Sequence, residues 1–226
     1  MAHRDSTALT FTAIAGSGDL SAILDRAESS RALLVLGHGS GSTMSVPFIA
    51  ELSDALVRAG VATFRYQYPY SENPGFIPYS DMPMDEPDVM AATIRAAVEE
   101  AAVAAPDLPL FAGGHSVSGR LTSEADADTS MDHLYGVCLL GFPLKGDMSR
   151  VAHFSTASKP LLFVQGTDDP YADPGELQRA VDDLTNSSEL HFIEGADHGF
   201  QVPGRAATDV MDEIAELVSL WMQANS

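Results

Sequence analysis

Ser116, Asp169 and His198 are the residues with which this chain could do covalent chemistry. A serine hydroxyl is a weak nucleophile near neutral pH, so a neutral imidazole has to take its proton. An ionised carboxylate on the other ring nitrogen fixes the tautomer and stabilises the imidazolium that forms. The surroundings of Ser116 suit such a nucleophile. Leu110-Phe111-Ala112-Gly113-Gly114-His115-Ser116-Val117-Ser118-Gly119-Arg120 is an apolar run that ends in glycines and continues into a segment able to start a helix. It follows the G-x-S-x-G pattern, in which the serine sits on a strained strand-to-helix turn with its hydroxyl above a sheet. Gly114 fills the first glycine position. Ser118 stands at the second, with Gly119 next to it. Small residues are needed there because the helix start crowds the strand.

The elements that would position these groups are legible as alternating patterns. Leu33-Leu34-Val35-Leu36, the segment 61–66, the run before Ser116, the segment 136–140, Leu161-Leu162-Phe163-Val164 and Leu190-His191-Phe192-Ile193 read as strands, several of them apolar on both faces. Residues 9–13 alternate as a half-exposed strand, and residues 20–27 fit either element. Phe48, Leu52, Ala55 and Leu56 fall at helical spacing over residues 45–59. Met90, Ile94, Ala97, Val98 and Ala101 do so in a second helix, Leu177, Ala180, Val181 and Leu184 in a third, and Val210, Ile214, Leu217, Val218 and Trp221 in the last. Strand and helix alternate, which predicts an α/β fold with a mainly parallel sheet and helices on both faces. No linker or repeat divides residues 1–226, so one domain is expected, with no insertion large enough for a lid domain. Ser116, Asp169 and His198 each follow the C-terminal end of a strand, where open α/β sheets gather their sites.

A developing oxyanion needs N–H donors. The amide after the nucleophile, that of Val117, is one candidate, and Ser40 in the loop His38-Gly39-Ser40-Gly41 is the other. Other residues compete for the remaining roles. His115 adjoins the nucleophile, but neighbours on an elbow point apart. His38 reads as a shaper of its loop. Asp168 and Asp169 both follow the strand, and the Gly-x-x-Asp spacing from Gly166 favours Asp169. Asp197 reads as a loop residue. The long stretch 67–87 carries Tyr68, Tyr70, Phe76 and Met82, which could line a substrate pocket or simply pack among themselves.

Charge narrows the partners. Twelve basic residues stand against 32 acidic ones, a net −20. That field repels nucleic acid and anionic membranes, and neither is expected as a partner. The acidic surface could reflect a high-salt setting or an ordinary acidic protein. No apolar run is long enough to span a bilayer, and residues 1–7 lead into no apolar leader. Cys138, the single cysteine, lies in an apolar run and reads as core. A cytoplasmic location is expected. No cluster has metal-site spacing and no phosphate loop occurs, so neither metal nor cofactor is expected.

The stretches Leu36-Gly37-His38-Gly39-Ser40-Gly41, Phe64-Arg65-Tyr66-Gln67-Tyr68-Pro69-Tyr70, Gly113 to Arg120, Leu140-Gly141-Phe142-Pro143-Leu144, Val164-Gln165-Gly166-Thr167-Asp168-Asp169-Pro170 and Gly195-Ala196-Asp197-His198-Gly199-Phe200 resemble the bacterial α/β hydrolases of the KANL3/Tex30-like group, and more loosely the dienelactone hydrolase clan. The order Ser, Asp, His is also that of the α/β-hydrolase triad. The resemblance implies an α/β-hydrolase fold, triad roles for Ser116, Asp169 and His198, and a serine hydrolase acting on a small-molecule carboxylic ester. It equally allows a thioesterase or peptidase with the same triad, or a scaffold protein that keeps the fold without turnover. Two departures stand out. Members of the group usually carry glycine where this chain has Ser118. Dienelactone hydrolases proper use cysteine as nucleophile, so lactone specificity does not carry over.

Overall fold

Alternate residues of one strand feed opposite cores. In the computed structural model, Leu33 and Val35 of β3 (Ala32–Gly37) pack in one cluster with Met90, Ile94 and Val98. Leu34 and Leu36 pack in another with Ile49, Leu52, Ile214 and Trp221. This is the two-residue period of a strand covered on both faces. The structure describes residues 4–14, 16, 18–128, 131–184 and 187–226. Residues 1–3, within the segment read above for a leader, lie outside the described residues.

The other strands are β1 (Arg4–Phe11), β2 (Leu20–Ala27), β4 (Val61–Tyr66), β5 (Leu110–His115), β6 (Leu134–Leu140), β7 (Leu161–Gly166) and β8 (Glu189–Ile193). They form an eight-stranded sheet in the order β1-β2-β4-β3-β5-β6-β7-β8. β1 and β2 pair antiparallel, as do β2 and β4, and every later pair is parallel. Parallel neighbours need crossovers. These are α1 (Pro47–Arg58), α2 (Pro69–Glu72), α3 (Pro87–Ala104), α4 (Val117–Asp128), a 3₁₀ segment (Met148–Thr156) and α5 (Pro174–Asp182), and α6 (Ala207–Ala224) closes the chain. Residues of α1 and α6 share one core and those of α3 and α4 the other. A third cluster joins Leu139 and Phe163 to Phe154 of the 3₁₀ segment and Leu177 of α5.

The segment 20–27 is a strand. Its exposure alternates except at Asp25, which is fully buried. That carboxylate accepts hydrogen bonds from Ser6 Oγ (2.6 Å), Arg4 (2.8 Å), Ser53 Oγ (3.0 Å) and two guanidinium nitrogens of Arg65 (2.6 and 3.2 Å). A buried charge persists only when paired and hydrogen-bonded in this way. Arg65 also donates to the Met44 carbonyl at 2.7 Å, and Gln67 Oε1 accepts from the Met44 amide at 3.0 Å. The loop after β3 is thereby tied to β4. Among the described residues no helix is long and apolar enough to cross a membrane.

Candidate active site

β5 ends at His115 and α4 begins at Val117, so Ser116 alone makes the turn between them. It does so at φ +54°, in the left-handed region that a β-carbon disfavours. Its amide donates to the Leu140 carbonyl at 2.8 Å, and its carbonyl accepts from the Arg120 amide at 3.2 Å. Strained backbone of this kind persists where neighbours over-determine it. Here the neighbours are backbone. A β-carbon on Gly113 would stand 1.9 Å from the Cys138 carbonyl oxygen, and one on Gly114 would stand 2.3 Å from that of Gly37. No side chain fits between β5 and its two partners at this level.

Ser118 is fully buried beneath the elbow. Its Oγ donates to the His38 carbonyl and lies 2.8 Å from the Tyr68 hydroxyl, which in turn lies 3.1 Å from that of Tyr66. A β-carbon on Gly37 would come within 2.6 Å of the Ser118 β-carbon. Gly37 therefore makes room for the serine that replaces the motif glycine. The backbone crowding falls on Gly119, whose added β-carbon would meet the Gly114 carbonyl oxygen at 2.7 Å.

Asp169 follows β7 and is 4% exposed. His198 Nδ1 donates to its Oδ2 at 2.7 Å, Gln165 Nε2 to the same oxygen at 2.7 Å, and the Tyr171 amide to Oδ1 at 2.8 Å. Burial pushes this carboxyl up. The bonds from His198, the Tyr171 amide and Gln165 outweigh burial and hold it below the ordinary range. Asp168 is exposed on the turn, so the partner of His198 is Asp169. Asp197 accepts the Gly199 and Gln201 amides, both at 2.9 Å, and shapes the histidine's loop.

His115 lines the same cavity as the serine but is hydrogen-bonded to the His198 loop. Its Nε2 donates to the His198 carbonyl at 2.8 Å, and its ring packs on Phe48 and on the His198 ring. Burial, then the neighbouring His198, pushes its pKa down to about 4, so it is neutral at pH 7. His38 is also buried and pushed down to about 4, and its Nδ1 donates to the Gly39 carbonyl at 3.0 Å.

Ser116, Val117, Ser40 and His198 all open onto one cavity of about 620 Å³. That size suits a small-molecule ligand, whose pockets run about 300–1,000 Å³. Among the described residues no hydrogen bond joins Ser116 Oγ to His198. Contacts of this kind tighten when substrate binds. Of the four residues read as pocket lining, none lines this cavity. Tyr68 is fully buried because its hydroxyl has partners in Ser118 and Tyr66. Tyr70, 8% exposed, reaches the Gly39 carbonyl from behind, and Phe76 packs on Tyr70. Met82 is half-buried elsewhere in the loop. Tyr79 is the one residue of 67–87 that lines the cavity. Sequence reasoning missed Phe48, Arg120, Arg150, Tyr171 and Gln201, which also line it. Arg120 had a signal: it lies four residues beyond Ser116, one turn along α4 and on the same face. Arg150 sits in the 3₁₀ segment, which has no periodic pattern.

A family model described as an alpha/beta hydrolase domain matches residues 30–224. The chain belongs to the α/β hydrolases. Solved α/β hydrolases resemble it over nearly their whole length. A dienelactone hydrolase from Anabaena variabilis superposes with a TM-score of 0.79 at 20% identity, covering 98% of each chain. Est1E from Butyrivibrio proteoclasticus gives 0.72 at 18% identity, covering 96% of this chain and 99% of its own. An α/β serine hydrolase without lid from Xanthomonas campestris gives 0.70 at 20% identity, covering 96% and 95%. No curated protein matches the chain. The sheet order and the absence of a lid domain among the described residues agree with the fold expected above.

Proposed function

We propose that this α/β hydrolase is a serine hydrolase that cleaves carboxylic esters of small molecules through an acyl-enzyme on Ser116. One observation carries the reading: a serine strained at the end of β5 shares a cavity with a histidine whose Nδ1 is held 2.7 Å from a buried carboxylate. Ser116 Oγ attacks the ester carbonyl carbon while His198 Nε2 takes the hydroxyl proton. The negative charge gathers on the carbonyl oxygen, facing the amides of Val117 and Ser40. His198 returns its proton to the departing alcohol, leaving acyl-Ser116. A water then attacks the acyl carbon, His198 takes and returns a proton again, and the carboxylic acid leaves with serine restored. Asp169 keeps Nδ1 protonated and turned inward throughout. Val46, Phe48 and Ile49 supply apolar wall for a short acyl chain, and Tyr79 and Tyr171 flank the opening.

The same steps serve thioesters and amides, and the ester assignment rests on the family resemblance. The reading includes one domain over residues 1–226 working in the cytoplasm, with no metal, nucleic-acid or membrane partner. The test is labelling with a fluorophosphonate, read by intact mass and peptide mapping. Wild type should carry one adduct, on Ser116. Ser116→Ala should carry none, and His198→Ala should label slower by a factor on the order of 10³ or more. A folded wild-type protein that takes no adduct rejects the acyl-enzyme and leaves a binding or scaffold role.

A further inference from the structure

The loop after β3 has its carbonyls tied down from behind. Gly39 is buried and Ser40 is exposed, and both line the cavity. The Gly39 carbonyl oxygen accepts from His38 Nδ1 at 3.0 Å and from the Tyr70 hydroxyl at 3.5 Å. The backbone of Ser42 and Gly41 lies against the same Tyr70 oxygen. One residue earlier, the His38 carbonyl accepts from Ser118 Oγ, which is itself held by the Tyr68–Tyr66 hydroxyl pair. His38 is wedged edge-on against Tyr68 and Tyr70, whose rings stack at 6.0 Å.

A peptide unit is planar, and in the trans form its C=O and N–H point in opposite directions. The chain has no cis peptide among the described residues. The N–H of Ser40 belongs to the same peptide unit as the Gly39 carbonyl. Fixing that carbonyl toward His38 and Tyr70, on the core side, therefore aims the Ser40 N–H the other way, into the cavity. The Ser118 bond to the preceding carbonyl fixes the plane before it and stops the loop from rotating as a crank.

We propose that His38, Tyr70 and Ser118 are positioning residues for the oxyanion hole: they hold the Gly39–Ser40 peptide in the one orientation that presents the Ser40 N–H to a tetrahedral intermediate. The inference rests on the acyl-enzyme reading above. It also gives Ser118 a purpose that the motif glycine could not fill, because glycine has no hydroxyl to hold the loop. Ser118 and Gly37 then form a matched pair, the extra side chain on α4 being accommodated by the missing one on β3.

Losing an oxyanion donor outright costs about 10²–10³ in kcat. A donor that is present but released to rotate costs less, so single substitutions here should cost about tenfold. The experiment measures kcat and KM for 4-nitrophenyl butyrate, with the fluorophosphonate labelling rate, on wild type, Ser118→Ala, Tyr70→Phe, His38→Leu and His38→Asn. Melting curves on each show that it is folded. The expected result is a fall in kcat and in labelling rate of about tenfold for Ser118→Ala and His38→Leu, with KM within about twofold. Tyr70→Phe should lose less, because its bond is the longest of the set, and Tyr70→Phe combined with His38→Leu should approach 10². His38→Asn keeps an amide donor near Nδ1 and should recover part of the His38→Leu loss. A role in stability alone would lower the melting temperature without this split and without recovery by asparagine. Folded variants that label and turn over at the wild-type rate would overturn the proposal while leaving the triad intact. A folded wild type that neither labels nor turns over would remove the reading beneath it, and the proposal with it.

Discussion

Asp25→Ala should be strongly damaging although the residue lies outside the cavity. The side chain is fully buried and accepts five hydrogen bonds, two from Arg65, which is itself 5% exposed. Removing the carboxylate strands the Arg65 charge in the interior between β2 and β4. Breaking a buried pair from one side costs about 3–5 kcal/mol. For a chain of this size each kcal/mol moves the melting temperature by about 2–4 °C, so a fall of roughly 6–20 °C is expected. Differential scanning calorimetry would read it. Arg65→Met combined with Asp25→Ala should lose less than the two single losses added together, because the double variant strands no charge. The site should respond too. Arg65 holds the Met44 carbonyl, so Asp25→Ala should slow fluorophosphonate labelling even below its melting temperature. The pH dependence has a definite sign. Burial pushes the Asp25 carboxyl up, but bonds from Ser6, Arg4 and Arg65 outweigh it and lower the folded pKa. A lowered carboxylate pKa adds stability above the unfolded value of about 3.9 and loses it as pH falls through the folded value. The gap between wild type and Asp25→Asn should therefore be full at neutral pH and close in acid. A melting-temperature loss under about 2 °C for Asp25→Ala, or a gap that widens in acid, would refute this account.

Three further outcomes follow from single distances or burials. Gly114→Ala places a β-carbon 2.3 Å from the Gly37 carbonyl oxygen, so β3 and β5 must part. It should yield insoluble protein or cost more than about 4 kcal/mol in urea unfolding. Cys138 is fully buried with its thiol pushed up to about 12, so a thiol-exchange reagent should leave the native protein untouched and modify one thiol only once denaturant is added. His38 and His115 are both held down to about 4 by burial, so their ring-proton resonances should stay constant from pH 8 to about pH 5, and movement near pH 6.5 would contradict their burial.

The interior strands were legible because β3, β5 and β7 are apolar on both faces, and a continuous run of that length has few other homes. The places of Ser116, Asp169 and His198 were legible for a related reason: Ser116 and Asp169 stand just past such runs, and His198 follows the half-exposed edge strand β8. β2 was not, because Asp25 interrupts its alternation, and only the three-dimensional arrangement of Arg4, Ser53 and Arg65 explains a carboxylate there. The spacing from Gly166 favoured Asp169 over Asp168, and it is Asp169 that lies 2.7 Å from His198 Nδ1 while Asp168 is exposed on the turn. Tyr68 and Tyr70 misled because an aromatic residue in a long loop suits a pocket wall and a core equally. Their hydroxyl partners, Ser118 and the Gly39 carbonyl, lie 50 and 31 residues away.

The three central strands are welded where Ser116 leaves the sheet. Gly37, Gly113, Gly114 and the Cys138 carbonyl touch as bare backbone, with no side chain to trim or enlarge. Substitution there cannot retune the site, because it must first prise the strands apart. The cavity's other walls come from segments outside the weld: Ser42 and Phe48 before and within α1, Tyr79 in 67–87, Arg150 in the 3₁₀ segment and Tyr171 after β7. The proposed nucleophile and the surfaces that would choose its substrate are thus held by different parts of the chain. Mutant libraries confined to those five positions should change what the site accepts while inheriting an intact elbow, and libraries that include the weld should mostly return unfolded protein.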